Sequence, residues 1–168
     1  VAVDATAGNG HDTVFLAHGV GPAGRVYALD IQDQALENTS RLVAAQGLTE
    51  RVKLLKSGHQ QMDRLIEGPV DAVMFNLGYL PGSDRSVVTT IDSTLAGIKA
   101  ALSLTGPGGR ISIVAYTGHP GARQEATAVE KLLSALAEKV FSVQKLFFLN
   151  SPKESPELFF ITGAGDKK

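Results

Sequence analysis

Short apolar runs alternate with amphipathic stretches along this chain. Residues 1–5, 25–30, 52–56, 71–76 and 110–116 are short and rich in Val, Ile and Leu. That composition is expected of parallel strands buried on both faces. The segments between them have helical spacing. Residues 33–46 open with Asp33, a plausible N-cap, and stop at Gly47, a good residue for a helix C-terminus. Residues 86–102 carry Val87, Ile91, Leu95, Ile98 and Leu102 on one face, and residues 124–139 carry Val129, Leu132, Leu133 and Leu136 in the same way. The end of the chain differs. Two strand-like runs, 140–149 and 157–162, follow each other with only a polar connector holding Pro152 and Pro156. Strands joined without a crossover helix should pair antiparallel. The pattern predicts five βα units and a hairpin: an α/β, doubly wound, mostly parallel sheet of seven strands with a C-terminal antiparallel hairpin. Ligands in such sheets bind beyond the carboxyl ends of the strands, where the strand order reverses.

Composition narrows the picture. A chain of 168 residues fits one domain, 1–168, with a core of useful size. The formal charge of −1 excludes a globally basic protein and leaves nucleic-acid binding to local patches. There is no cysteine, which excludes disulfides and cysteine–zinc sites and points to the cytoplasm. No metal site is expected. No apolar run approaches the length of a membrane span, about 18 residues. The first residue, Val1, already lies inside a strand-like run, so an N-terminal segment is expected to precede it.

The candidate chemistry begins after the first strand, in Asp4-Ala5-Thr6-Ala7-Gly8-Asn9-Gly10-His11-Asp12-Thr13. Gly8 and Gly10 permit a tight turn and a close approach of ligand to backbone. The helix that follows would aim free N–H groups at the site. Thr13 stands where a dinucleotide fingerprint has its third glycine, which counts against NAD. Asp4 before the glycines makes the pattern resemble the first motif of class I methyltransferases, whose cofactor is S-adenosyl-L-methionine. Asp30 ends the second strand, 20 residues after Gly10. An acid there can accept hydrogen bonds from both ribose hydroxyls; it can also cap the next helix. Gln32 lies close enough in sequence to add a contact near the ribose. Ser57 or His59, after the third strand, can bond an adenine edge, and both Ser57 and Gly58 are equally ordinary turn residues.

The fourth strand ends in Asn76-Leu77-Gly78-Tyr79-Leu80-Pro81-Gly82. Amino-group methyltransferases commonly carry Asn or Asp, two prolines and Tyr at this point, so the segment resembles that motif with both prolines replaced. The Asn76 side-chain oxygen and the Leu77 carbonyl can orient an amine, and Tyr79 can stack on a base. Asn76 can equally be a strand-ending cap. Tyr116-Thr117-Gly118-His119-Pro120-Gly121 follows the fifth strand. His119 is the best candidate base by its neutral-range pKa.

Together these three segments resemble a small bacterial methyltransferase family long labelled "putative rRNA methylase". Its members are associated with methylating the 5-aminomethyl group of the wobble (2-thio)uridine of tRNA. The resemblance spans nearly the whole chain. It implies a class I methyltransferase fold, S-adenosyl-L-methionine as cofactor, the tRNA anticodon loop as substrate and a homodimer. By matching positions it implies that Asn9, Asp12, Asp30, Gln32 and His59 line the cofactor and that Asn76, Tyr79 and His119 face the acceptor. Single-stranded loops suit aromatic stacking and scattered cations; Arg85, Arg123, Lys145 and Lys153 are candidates for the latter. The alternatives are a methyltransferase of small molecules or of rRNA, since a fold does not choose a substrate, and a noncatalytic nucleotide-binding module or an NAD-dependent enzyme.

Overall fold

A computed structural model describes residues 1–78, 88–118, 120–150 and 155–165. Its sheet is built from β1 (Ala2–Asp4), β2 (Val26–Asp30), β3 (Val52–Lys56), β4 (Val70–Leu77), β5 (Thr105–Ala115), β6 (Phe141–Leu146) and β7 (Glu157–Gly163). These seven strands lie in the order β3-β2-β1-β4-β5-β7-β6. The first five run parallel. β7 is antiparallel to both of its neighbours, β5 and β6. The alternating pattern predicted the parallel strands, and the helix-free connector predicted the antiparallel hairpin.

Among the described residues five α-helices cover the sheet: α1 (His11–Gly19), α2 (Asp33–Ala45), the single turn α3 (Met62–Leu65), α4 (Ile91–Leu104) and α5 (Ala122–Ser134). Successive side chains of a strand point to opposite faces. In β1 this sends Val3 into a large core with Phe75, Ile98, Ile113, Val129 and Phe159. It sends Ala2 into a smaller core with Leu16, Ala17, Val26 and Val43. The first core sits under α4 and α5, the second under α1 and α2. Central strands buried on both faces explain why they read as continuous apolar runs rather than alternating ones.

Several element ends differ from the sequence pattern. Asp33 is the first residue of α2 rather than its cap; Gln32 holds the cap position without a side-chain bond. The Asp33 carboxylate instead pairs with Lys56 at 2.7 Å. Gly47 does end that helix, with φ +66°. The helix expected over 86–102 starts at Ile91, because Thr90 and Ser93 form a reciprocal capping box. α5 closes at Ser134, five residues before the end of its expected range. β5 reaches back to Thr105 through Gly106-Pro107-Gly108-Gly109. β6 stops at Leu146, and Phe147, Phe148 and Leu149 leave it exposed. Among the described residues no helix is long and apolar enough to cross a membrane.

Candidate functional site

The strand order reverses between β1 and β4, and a cavity of about 460 Å³ opens at the carboxyl ends there. This falls in the range of small-molecule sites. Its floor is the loop after β1. That loop is held by Ala5 N–H to the Met74 carbonyl and Ala7 N–H to the Leu29 carbonyl, each at 2.9 Å. Gly8 and Gly10 take left-handed conformations, φ +53° and +87°. Gly10 is also the point where α2 comes closest: a Cβ there would lie 2.8 Å from the Thr39 Cα. α1 starts directly after Gly10, so the unsatisfied N–H groups of its first turn face the same side as the cavity.

Asp4 does not line the cavity. It is buried beneath the loop, where its carboxylate accepts from the Thr13 hydroxyl at 2.5 Å and from Thr6 N–H at 3.2 Å. Burial pushes its pKa up to about 7, against the lowering effect of those two hydrogen bonds; the nearby Asp12 and Asp30 charges add to the rise. Asp4 therefore shapes the loop from below. Gly10 is likewise outside the lining, while Gly8, Asn9 and Asp12 belong to it.

On the β2 side, Asp30 and Gln32 line the cavity. Asp30 Oδ2 accepts from Gly8 N–H at 3.0 Å and Oδ1 from Gln32 N–H at 2.9 Å. A carboxylate offers about four lone-pair sites, so two remain for a ligand's hydroxyls. The two amides lock the carboxylate between the glycine loop and the start of α2. Asn9 is tied to the same helix through Asn38 Nδ2 at 2.9 Å.

Ser57 and His59 form the next wall. His59 is 7% exposed, and its Nε2 is buried with no hydrogen-bond partner among the described residues. The ring meets Phe75 edge-on at 5.7 Å. It also presses on α4 at Gly97, where a Cβ would fall 2.4 Å from His59 Cδ2. Desolvation lowers the His59 pKa. The backbone of Ser93 and Ala5 and the Asp30 charge act in the opposite sense, though none meets hydrogen-bond geometry with Nε2. A neutral, buried imidazole with an unused ring nitrogen is a polar group waiting for a ligand partner.

Across the cavity stands Asn76, at the end of β4. Its N–H donates to the Thr6 hydroxyl at 2.7 Å, and its Nδ2 donates to Asp12 Oδ2. A carboxylate can only accept, so the amide nitrogen must face Asp12. That fixes the amide with Nδ2 toward Asp12 and Oδ1 on its other side. Leu77, Gly78 and Tyr116 continue this wall, and Val88, Thr89, Thr90 and Ser93 close it. Tyr79 and His119 lie outside the described residues, as do Arg85 and Lys153. The structure thus brings together Gly8, Asn9, Asp12, Asp30, Gln32, Ser57, His59 and Asn76 around one cavity.

Thr6, Thr89, Thr90 and Ser93 were not singled out by sequence. Thr90 and Ser93 had a legible signal, a Thr three residues before a Ser ahead of an apolar helical face. Thr6 had none, since its role depends on a partner 70 residues away.

Comparison with known proteins agrees with this geometry. Residues 26–162 match the family model described as "Putative rRNA methylase". The tRNA (mnm(5)s(2)U34)-methyltransferase, chloroplastic, of Arabidopsis thaliana is 43% identical across 95% of this chain, which spans 61% of that protein's length. A crystal structure of a "putative rRNA-methylase" from Clostridium thermocellum superposes with a TM-score of 0.94 at 44% identity, covering 96% of this chain and 87% of that one. A "putative methyltransferase" from Streptococcus mutans, solved in complex with SAH, superposes with a TM-score of 0.88 at 38% identity over the same shares of the two chains. With the fold, the glycine loop and the family match in agreement, the chain belongs to the rRNA methylase family of class I methyltransferases.

Proposed function

We propose that this chain, as one class I domain over 1–168, is an S-adenosyl-L-methionine-dependent methyltransferase. Its acceptor on this reading is the amine of a 5-aminomethyl wobble uridine in tRNA. The relatives named above support the cofactor and the tRNA class. The residues present fit the cofactor. Asp30 keeps acceptor capacity for two ribose hydroxyls, and Gln32 flanks it. His59 Nε2, buried and unpartnered, suits the edge of an adenine. The loop Gly8-Asn9-Gly10, with Asp12, receives the polar end of the molecule.

When bound, the cofactor supplies an electrophilic methyl group on a positively charged sulfur. This chain's residues then have to hold the amine. The observation that supports the reading is the Asn76 side chain: Thr6 holds its backbone N–H, and Asp12 takes its Nδ2, which leaves Oδ1 as the end to accept an amine N–H. With the Leu77 carbonyl as a second acceptor at the cavity wall, the amine lone pair is directed along one line. Alignment of this kind can contribute several kcal/mol without any covalent intermediate. The family resemblance implies that Tyr79 and His119 face the acceptor; by their own chemistry a Tyr79 ring can stack on the base and His119 is the candidate to take the proton. The resemblance also supports a homodimer, and the cysteine-free sequence supports a cytoplasmic setting.

The test is methylation of tRNA carrying an unmethylated 5-aminomethyl wobble uridine, with labelled S-adenosyl-L-methionine and nucleoside mass spectrometry. Label in the wobble nucleoside is expected. The formal charge of −1 favours a second reading, a small-molecule amine acceptor. Label on small amines or rRNA with none in the wobble nucleoside would replace the first reading.

A further inference from the structure

We propose that Glu125 is a positioning residue for the methyl acceptor, clamping the cavity wall at Thr89 from beneath. The inference rests on the methyltransferase reading above, because it assigns the Asn76 side of the cavity to the acceptor.

Glu125 lies in the first turn of α5 and is 3% exposed. A carboxylate taken out of water is costly unless its oxygens are satisfied. Among the described residues no cation pairs with it. Two hydroxyls do the work instead: Thr94 Oγ1 donates to Oε1 at 2.6 Å and Thr89 Oγ1 to Oε2 at 3.0 Å. Filling the core alone would be served as well by an apolar side chain. The partners show what the carboxylate achieves. Thr94 is fully buried within α4 and fixes one oxygen. The other oxygen is thereby aimed at Thr89, which lines the cavity.

Thr89 is held from a second direction. Its N–H donates to the Gly78 carbonyl at 3.0 Å. Gly78 stands two residues after Asn76 and also lines the cavity. Thr89 is therefore a junction of three parts: the segment leaving β4 after Asn76, the start of α4, and α5. α5 itself is capped by Gly121, directly after the segment that leaves β5. Glu125 so joins both segments on the acceptor side of the sheet. The cofactor groups, Asp30, Ser57 and His59, sit at β2 and β3 on the other side of the strand-order switch. The Thr89 bond lies ahead of the first turn of α4, whereas His59 packs on that helix further along, at Gly97; loss of the clamp should therefore act on the acceptor more than on the cofactor.

The experiment compares the full chain with Glu125→Ala and Glu125→Gln. It reads SAH affinity by calorimetry, KM and kcat for the aminomethyl-uridine tRNA, and hydrogen exchange at the Thr89 amide. Glu125→Ala should lower kcat/KM for the tRNA about tenfold or more, change SAH affinity less than about twofold and speed Thr89 exchange. Glu125→Gln should restore most of the loss, since its oxygen accepts from one hydroxyl and its NH₂ donates to the other. Unchanged Thr89 exchange, a parallel loss of SAH affinity, or a Gln variant as poor as the Ala variant would overturn the proposal. Should Glu125→Ala fail to fold, Thr89→Val removes the cavity-side bond, leaves Glu125 bonded to Thr94 and is read the same way. A wild-type chain inactive on that tRNA sinks the substrate reading separately; the split is then read with the acceptor it does use, and Thr89 exchange is read unchanged.

Discussion

Asp4 and Asp12 stand eight residues apart, at either end of the glycine loop, and their surroundings give them opposite tasks. Sequence placed both at the cofactor. Asp12 reaches the cavity and orients Asn76, whereas Asp4 is sealed under the loop with Thr13 and Thr6. Motif spacing shows that an acid is required near the glycines and not which way it faces; that depends on contacts made across 64 residues in the Asp12–Asn76 case. Burial gives Asp4 a measurable signature. Its pKa rises from 3.8 in the ordinary state to about 7 in the folded one. Between these values the folded chain holds a proton that the unfolded chain has released. Stability from this group is therefore greatest below pH 4, falls as pH rises through about 7, and then levels off. Asp4→Asn keeps the shape and removes the titration. The stability of this variant relative to wild type, read from urea midpoints, should improve steadily from pH 4 to pH 7. Parallel profiles for the two proteins would show that Asp4 is not buried in this way.

At the scale of elements, the strands and the antiparallel end of the chain were legible, because a strand covered on both faces must be continuously apolar. Ends were less so. The start of α4 was masked by Val87, which extends the apolar spacing past the true cap at Thr90. The start of β5 was masked by Gly106, Pro107, Gly108 and Gly109, residues that ordinarily mark turns. Close approaches between elements left no trace at all. Gly97, inside α4, reads as a weak point of a helix, yet it makes room for the His59 ring. The two readings predict opposite signs. In an open helix interior Gly→Ala stabilises by about 0.5–1 kcal/mol. Here the new methyl would press on His59 Cδ2, so Gly97→Ala should destabilise by about 1–3 kcal/mol, the usual range for overpacking. Because His59 must move, SAH affinity should fall with it. A more stable Gly97→Ala protein would show that His59 does not pack against α4.

For the whole molecule, the cavity is where the five parallel strands converge: the glycine loop of β1, the ends of β2 and β3, Asn76 of β4 and Tyr116 after β5, with the start of α4 beside them. A ligand there ties both cores together. SAH at about 100 times its dissociation constant should add about 2.7 kcal/mol to global stability. Thermal unfolding would show this as a single transition moved upward. NAD should leave the midpoint unchanged, and a larger shift with NAD would reverse the cofactor assignment.

The insertion of β7 between β5 and β6 has a consequence for how the surface is laid out. Because β7 is antiparallel to both, β6 runs in the same direction as β5. The pairing registers place Asn76, Val114, Leu158 and Leu146 in one row across four adjacent strands. At about 4.8 Å per strand, Leu146 stands about 14 Å from Asn76 along that row. Every strand except β7 therefore ends at the same rim. Phe147 and Leu149, 64% and 90% exposed, therefore follow a strand that ends on the same rim as β5, two strands from Tyr116, rather than at the far end of the sheet. A single reversed strand thus brings the exposed side chains that follow β6 to the same edge of the sheet as the cavity, where an ordinary hairpin added at β5 would have sent them to the opposite one.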